Sequence, residues 1–243
     1  METKEVTKNI DGLQFKMVYV EGGSFMMGVT REQMYYFDDN EYPPHTVTLD
    51  SYFIGETVVT QGLWKMIMGF NRSNNENDNY PVDLISWDET QEFVQRLSTK
   101  TGMPFRLPTE AEWEFAARGG NFSKGYMYSG SNNADDIMSK TISEVKKHTP
   151  NELGLYDING CVWQWVADRY GEYGWDDQVN PTGPEDGDLR VTRGGCFTNE
   201  AKWFCRVTSR NNYYQASGVP GLGFRLAMDD DGSPSKKDLF FNV

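Results

Sequence analysis

The sequence predicts a strand-rich α+β fold with a few helices placed early, on three observations: two helix starts with reciprocal caps, strand-like alternation near the N-terminus, and no long helical period beyond Asn121. From Leu13 to Met27 apolar and polar residues alternate around Gly22-Gly23, the pattern of a hairpin with a glycine turn. A second extended run, His45 to Ile54, follows the Pro43-Pro44 break. Thr60 to Gly69 reads as a short helix with an N-cap residue at one end and a glycine stop at the other, and Asn71 to Asn79 as a surface loop.

Ser86 with Glu89, and Thr109 with Glu112, each fit a capping box, in which each side chain satisfies the other residue's backbone N–H. The first helix buries Phe93, Val94 and Leu97 and ends near Gly102; the second buries Trp113 and Ala117 and stops at Gly119-Gly120. After Asn121 only short strand-like runs remain, separated by Gly, Asn, Asp and Pro, with no fixed repeat.

A chain of 243 residues suits one large domain, placed at residues 1–228, with 229–243 as a solvated tail. Within that tail Leu239-Phe240-Phe241 is either a docked strand or vector-derived residue. The 23 basic against 36 acidic residues give a net charge of −13, which repels phosphate backbones and anionic lipid and excludes nucleic acid as a first partner. No stretch approaches a membrane span, and Met1 to Glu21 lacks an apolar core flanked by basic residues, so the chain as given reads as carrying no leader.

Cys161, Cys196 and Cys205 match neither a dense disulfide framework nor a zinc spacing, which leaves buried free thiols or a Cys196–Cys205 disulfide. His45 and His148 are too few for a histidine-based catalytic or metal site. Glu110, Glu112 and Glu114 could supply an acid and a base, but Pro108-Thr109 is helix-start chemistry and acidic residues suit a first turn, so a structural role is expected.

Several blocks together resemble the formylglycine-generating-enzyme, or sulfatase-modifying-factor, family. They are Gly22–Gly28, Pro44–Val47 with Gly55–Thr60, Pro81-Val82 before Ser86-Trp87, Phe105–Glu114, Asn151–Asp157, Arg193–Gly195 and Gly223–Leu226, in order over most of the chain. The resemblance implies a C-type-lectin-like fold of the formylglycine-generating-enzyme type, low in regular secondary structure. It also implies an oxidase that uses two copper(I)-binding cysteines placed just after the Arg-Gly-Gly block, since copper(I) requires soft thiolates. Those positions fall here at Asn199 and near Phe204, neither of them a thiol, so no enzyme is expected. Cys205 matches a Cys-Arg step shared by non-catalytic relatives. The alternative is a copper-dependent formylglycine-generating oxidase with its thiols moved to Cys196 and Cys205; a regulatory or structural subunit is a weaker option. In the family's Gly-Asn-x-Trp-Glu-Trp calcium block, Cys161 replaces Asn and Gln164 replaces Glu, which weakens a site that wants hard, charged oxygens.

The segment between Arg193-Gly194-Gly195 and Gly223-Phe224 also resembles the variable region of diversity-generating-retroelement proteins. Tyr and Trp supply contact area while Ser and Asn supply adaptable hydrogen bonds, as in antibody loops. The expected ligand-facing residues are Thr198, Asn199, Glu200, Lys202, Trp203, Phe204, Thr208, Ser209, Asn211, Asn212, Tyr213, Tyr214, Gln215, Ser217 and Val219, with Trp203, Tyr213 and Tyr214 as anchors. The expected function is non-catalytic binding of a protein or glycan, without cofactor or membrane insertion. The resemblance implies a cell-surface or phage-associated protein, and otherwise a cytoplasmic one.

Overall fold

The computed structural model describes residues 5–10, 12–35, 37–198 and 202–230. The tail beyond Asp230, with Leu239-Phe240-Phe241, lies outside them. Thr60, Ser86 and Thr109 each accept a hydrogen bond from the backbone N–H three residues on, and three helices begin there: α1 (Gln61–Met68), α2 (Trp87–Thr101) and α3 (Glu110–Ala117). Both reciprocal caps form, and Gly69 and Gly102 close α1 and α2 in the left-handed region. Phe93, Val94 and Leu97 are buried on α2, as the pattern requires.

The strands are, in chain order, β1 (Glu5–Ile10), β2 (Leu13–Val20), β3 (Gly23–Met27), β4 (His45–Leu49), β5 (Tyr52–Gly55), β6 (Phe105–Arg106), β7 (Trp163–Arg169), β8 (Gln178–Val179), β9 (Leu189–Arg193), β10 (Arg210–Tyr214), β11 (Leu222–Phe224) and β12 (Ala227–Asp229). They form three sheets: β1-β2-β5-β12-β6, β10-β9-β7-β11 and β3-β4-β8. β12 runs one residue past the expected domain end, and the Asp229 carboxylate binds Arg106.

The hairpin expected around Gly22-Gly23 does not form. β2 pairs with β1 and β5, whereas β3 pairs with β4, so the two glycines carry the chain from one sheet to another. The His45 to Ile54 run divides in the same way, β4 in one sheet and β5 in the other. The two crossings touch: Gly22 N–H donates to Ser51 Oγ at 3.0 Å, and a Cβ on Gly22 would stand 2.5 Å from the Leu49 carbonyl oxygen. Alternation fixes that a segment is extended but not which strand lies beside it.

Among the described residues two large apolar clusters fill the interior, beside a small third one of Tyr128, Ala134, Ile137 and Cys205. In one, Trp64 of α1 stacks on Phe93 of α2 with centroids 5.4 Å apart, and Phe224 meets both edge-on. The other surrounds α3, all eight of whose residues are buried.

A buried helix bearing three carboxylates demands partners, because an unpaired charge is costly in a low-dielectric interior. Glu110 binds Arg193 (2.8 Å) and Arg210 (2.6 Å); Glu114 binds Arg193 (2.6 Å) and Arg118 (2.8 Å) and accepts the Gly28 N–H (2.9 Å); Glu112 binds Arg106 (2.7 Å) while closing the cap. Burial raises the Glu110 carboxyl, but the Arg210 and Arg193 guanidinium groups outweigh it and hold it below the usual range. These carboxylates are counter-ions to buried guanidinium groups, a role that helix-start chemistry does not foresee. Glu114→Ala should therefore lower unfolding free energy by about 3–5 kcal/mol. Glu92→Ala, which breaks an exposed pair with Arg96, should change it by less than about 1 kcal/mol. Urea denaturation compares them, and similar losses would contradict the hub.

Candidate ligand-binding surface

The segment after Arg193 starts from the hub and ends on the sheet. Among the described residues β10 is an edge strand, paired with β9, with Tyr213 opposite Arg190 and Asn211 opposite Thr192. Successive strand residues point to opposite faces. Arg210 accordingly points inward to Glu110, beneath the Tyr173 ring at 3.8 Å. Tyr213 turns to the face that meets Trp165 edge-on at 6.1 Å. Burial, with Cys196 nearby, raises the Tyr213 hydroxyl, opposed by a hydrogen bond from Asn211. Tyr214, four residues on from Arg210 and on the same face of the strand, is 65% exposed. The three expected anchors thus do not share one face: Trp203, 47% exposed, and Tyr214 reach solvent, whereas Tyr213 packs.

Thr208 and Ser209 are corrected. Both are fully buried, because the interior guanidinium of Arg206 needs acceptors: it binds Glu41 (Nη1 to Oε2, 2.8 Å), Thr208 Oγ1 (3.1 Å), Ser209 Oγ (3.2 Å) and the Trp203 carbonyl (2.9 Å). They fasten the segment from inside. Phe204 and Val219 are half-buried and pack against the larger apolar cluster. Asn211 Oδ1 accepts the Asn212 N–H at 2.8 Å, and both are half-exposed. The Gln215 carbonyl accepts the Trp87 N–H (2.9 Å), and Ser217 N–H closes a turn onto Tyr214 O (2.8 Å). Asn199 and Glu200 lie outside the described residues.

Beside the segment runs a groove of about 520 Å³ lined by Asp135, Met138, Ser139, Lys140, Phe197, Thr198 and Lys202. Phe197, Thr198 and Lys140 also line an adjoining concavity of about 390 Å³ that reaches Asn75 and Tyr80. Lys202 Nζ spans the groove to Asp135 Oδ1 at 2.6 Å, and that bond holds the carboxyl low. The opposite wall, Met138 to Ile142, was not legible in the sequence: it has neither aromatic density nor a helical or strand period. His45 packs on Tyr173 with centroids 4.9 Å apart, and His148 Nε2 lies 2.9 Å from Ser139 Oγ.

The thiols do not fit a copper(I) site. None of the three is joined in a disulfide, and Cys196 and Cys205 are buried. Burial, with Cys196 nearby, pushes the Cys205 thiol up to about 12, and desolvation pushes Cys161 well up. Copper(I) needs accessible thiolates. Nor do the residues fit calcium: the Gln164 carbonyl oxygen is taken by Trp113 Nε1 and Arg225 Nε, both at 3.0 Å, and Cys161 offers only sulfur. Among the described residues no group of three or more His, Cys, Asp or Glu is arranged to hold a metal ion.

The sulfatase-modifying factor enzyme 1-like domain matches residues 3–230. The chain belongs to this family. It is 32% identical to the formylglycine-generating enzyme of Streptomyces coelicolor, over 69% of this chain and 59% of that protein. It is 27% identical to the chaperone protein LppX of Paenibacillus barcinonensis, over 86% and 88%. The chain therefore spans less than two thirds of the Streptomyces enzyme it matches. Among solved structures, Treponema denticola variable protein 1 superimposes with a TM-score of 0.83 at 29% identity, covering 93% of this chain and 99% of that one. PvdO from Pseudomonas aeruginosa gives 0.70 at 26%, covering 88% and 94%. The fold is the α+β, C-type-lectin-like one of this family, and the likeness reaches both enzymes and a variable protein.

Because nucleophilicity follows the thiolate fraction, Cys205 in a Cys161→Ser, Cys196→Ser background should react with a thiol-specific disulfide reagent at pH 8 at least about a hundredfold more slowly when folded than in denaturant. Its rate should rise with pH towards about 12. Comparable rates in both states would mean that the thiol is ionised and reachable.

Proposed function

We propose that this protein is a non-catalytic binding protein whose contact surface is the outward side of the 197–217 segment, presented by a rigid lectin-like scaffold. The observation that carries the proposal is that exposed rings flank buried, salt-bridged pegs along one segment. Trp203 and Tyr214 stand largely in solvent, while Arg206 and Arg210 between them are buried and salt-bridged. Large rings exposed on rigid backbone offer contact area at little entropic cost. Thr198, Lys202 and Gln215, exposed as well, supply hydrogen bonds around them. The groove along Phe197 and Thr198 continues the surface.

The likeness to Treponema denticola variable protein 1 supports a display role, and the buried, undissociated thiols weigh against an oxidase. A net charge of −13 favours a protein or glycan ligand over nucleic acid. Among the described residues no helix is long and apolar enough to cross a membrane.

Two measurements test this proposal. Anaerobic copper(I) titration of the reduced protein, with turnover of a cysteine-containing sulfatase peptide under oxygen, should give neither tight binding nor formylglycine; stoichiometric copper with product would make it an oxidase at Cys196 and Cys205. A glycan array and a panel of purified surface proteins are then probed with wild type and with Trp203→Ala/Tyr214→Ala. Hits should weaken at least about tenfold at nearly unchanged stability, and hits that survive the double variant sink the proposed surface. Tyr213→Ala should instead lower stability, since its ring packs on Trp165.

A further inference from the structure

On another side of the hub lies a cleft of about 560 Å³ between β4, α3 and the loop from Arg169 to Pro184. At its base is Asp168, only 4% exposed. Its Oδ2 accepts the Glu110 N–H at the start of α3, at 2.8 Å. No donor among the described residues reaches its Oδ1. The approach is kept open by Gly183, whose φ is +74° and whose Cβ, were there one, would stand 2.9 Å from the Asp168 Cβ. Met27, Val179, Pro181 and Pro184 make the walls apolar.

We propose that this cleft binds a primary ammonium group on an aliphatic stem, such as a lysine side chain, with Asp168 Oδ1 as its counter-ion. The apolar walls suit a methylene stem, and the buried carboxylate suits its charged end. A single available oxygen suits a point-charge donor; a guanidinium fork would want both. The surrounding charges favour a cation. Glu110 and Glu112 face Asp168 from α3 and Arg210 faces it from β10, while Glu172, Tyr173 and His45 stand around the cleft and Arg169 is turned to the Glu185 and Gly187 carbonyls. Burial first, then Glu110 and Glu112, lift the Asp168 carboxyl to about 8 against the pull of Arg210. At neutral pH the empty site holds a proton, and an arriving ammonium displaces it.

This site goes beyond the surface proposed above and does not depend on it. Nα-acetyl-L-lysine N-methylamide is titrated calorimetrically into the full chain at pH 7, in two buffers of different ionisation enthalpy. Saturable binding with release of most of one proton is expected, and the norleucine analogue, which lacks the ammonium, should not bind. Asp168→Asn keeps an oxygen for the Glu110 N–H and should weaken binding at least tenfold. Val179→Trp, at an exposed position on the rim, should do the same by filling the mouth. No saturable binding by wild type, binding of the norleucine analogue, retention by either variant, or proton uptake in place of release would each overturn the proposal.

Discussion

The ion-pair hub on α3 is the constraint on which the rest depends. Arg193 is fully buried and reaches both Glu110 and Glu114, one helical turn apart. Burying such charges is unfavourable unless every partner is in register, so the hub admits one relative placement of α3 and β9. Arg118 extends it to the Gly28 carbonyl, and Arg210 extends it to β10. With strands this short and three separate sheets, regular hydrogen bonding alone leaves the layers free to slide; the buried charges fix their order. The same hub sets the field around Asp168, so the cleft and the 197–217 segment share one support.

The helices were legible because a cap is chemistry within four residues, and Ser86, Glu89, Thr109 and Glu112 carry it in full view. Sheet partners were not legible, because β2 and β3 differ from a hairpin only in what lies beside them, and that is decided by Ser51 and Leu49 some thirty residues away. The segment's composition correctly marked a stretch with exposed rings. It could not separate Tyr214 from Tyr213, since facing depends on where β10 enters its ladder with β9. Nor could it show that the hydroxyls of Thr208 and Ser209 serve Arg206, a requirement set by a buried guanidinium whose main partner, Glu41, lies far back in the chain.

A second junction in the interior is held without charge pairing. Gln164 ties Trp113, Arg225 and the carbonyls of Asp157 and Ile158 together through one neutral amide. Burial lowers the Arg225 guanidinium to about 10, and it also donates to the Gly55 and Tyr156 carbonyls. The junction between β7, α3 and β11 is thus held by hydrogen bonds internal to the chain.

The buried pegs and exposed rings along 203–214 separate two kinds of selection. Arg206 and Arg210, which secure the backbone, are buried and salt-bridged, while the side chains of Trp203 and Tyr214 are exposed. Mutations at the exposed positions are therefore close to thermodynamically silent, and side chains can be exchanged there without consuming the stability margin of the fold. Such a segment is a cartridge: its outer side chains are replaceable while its housing stays the same.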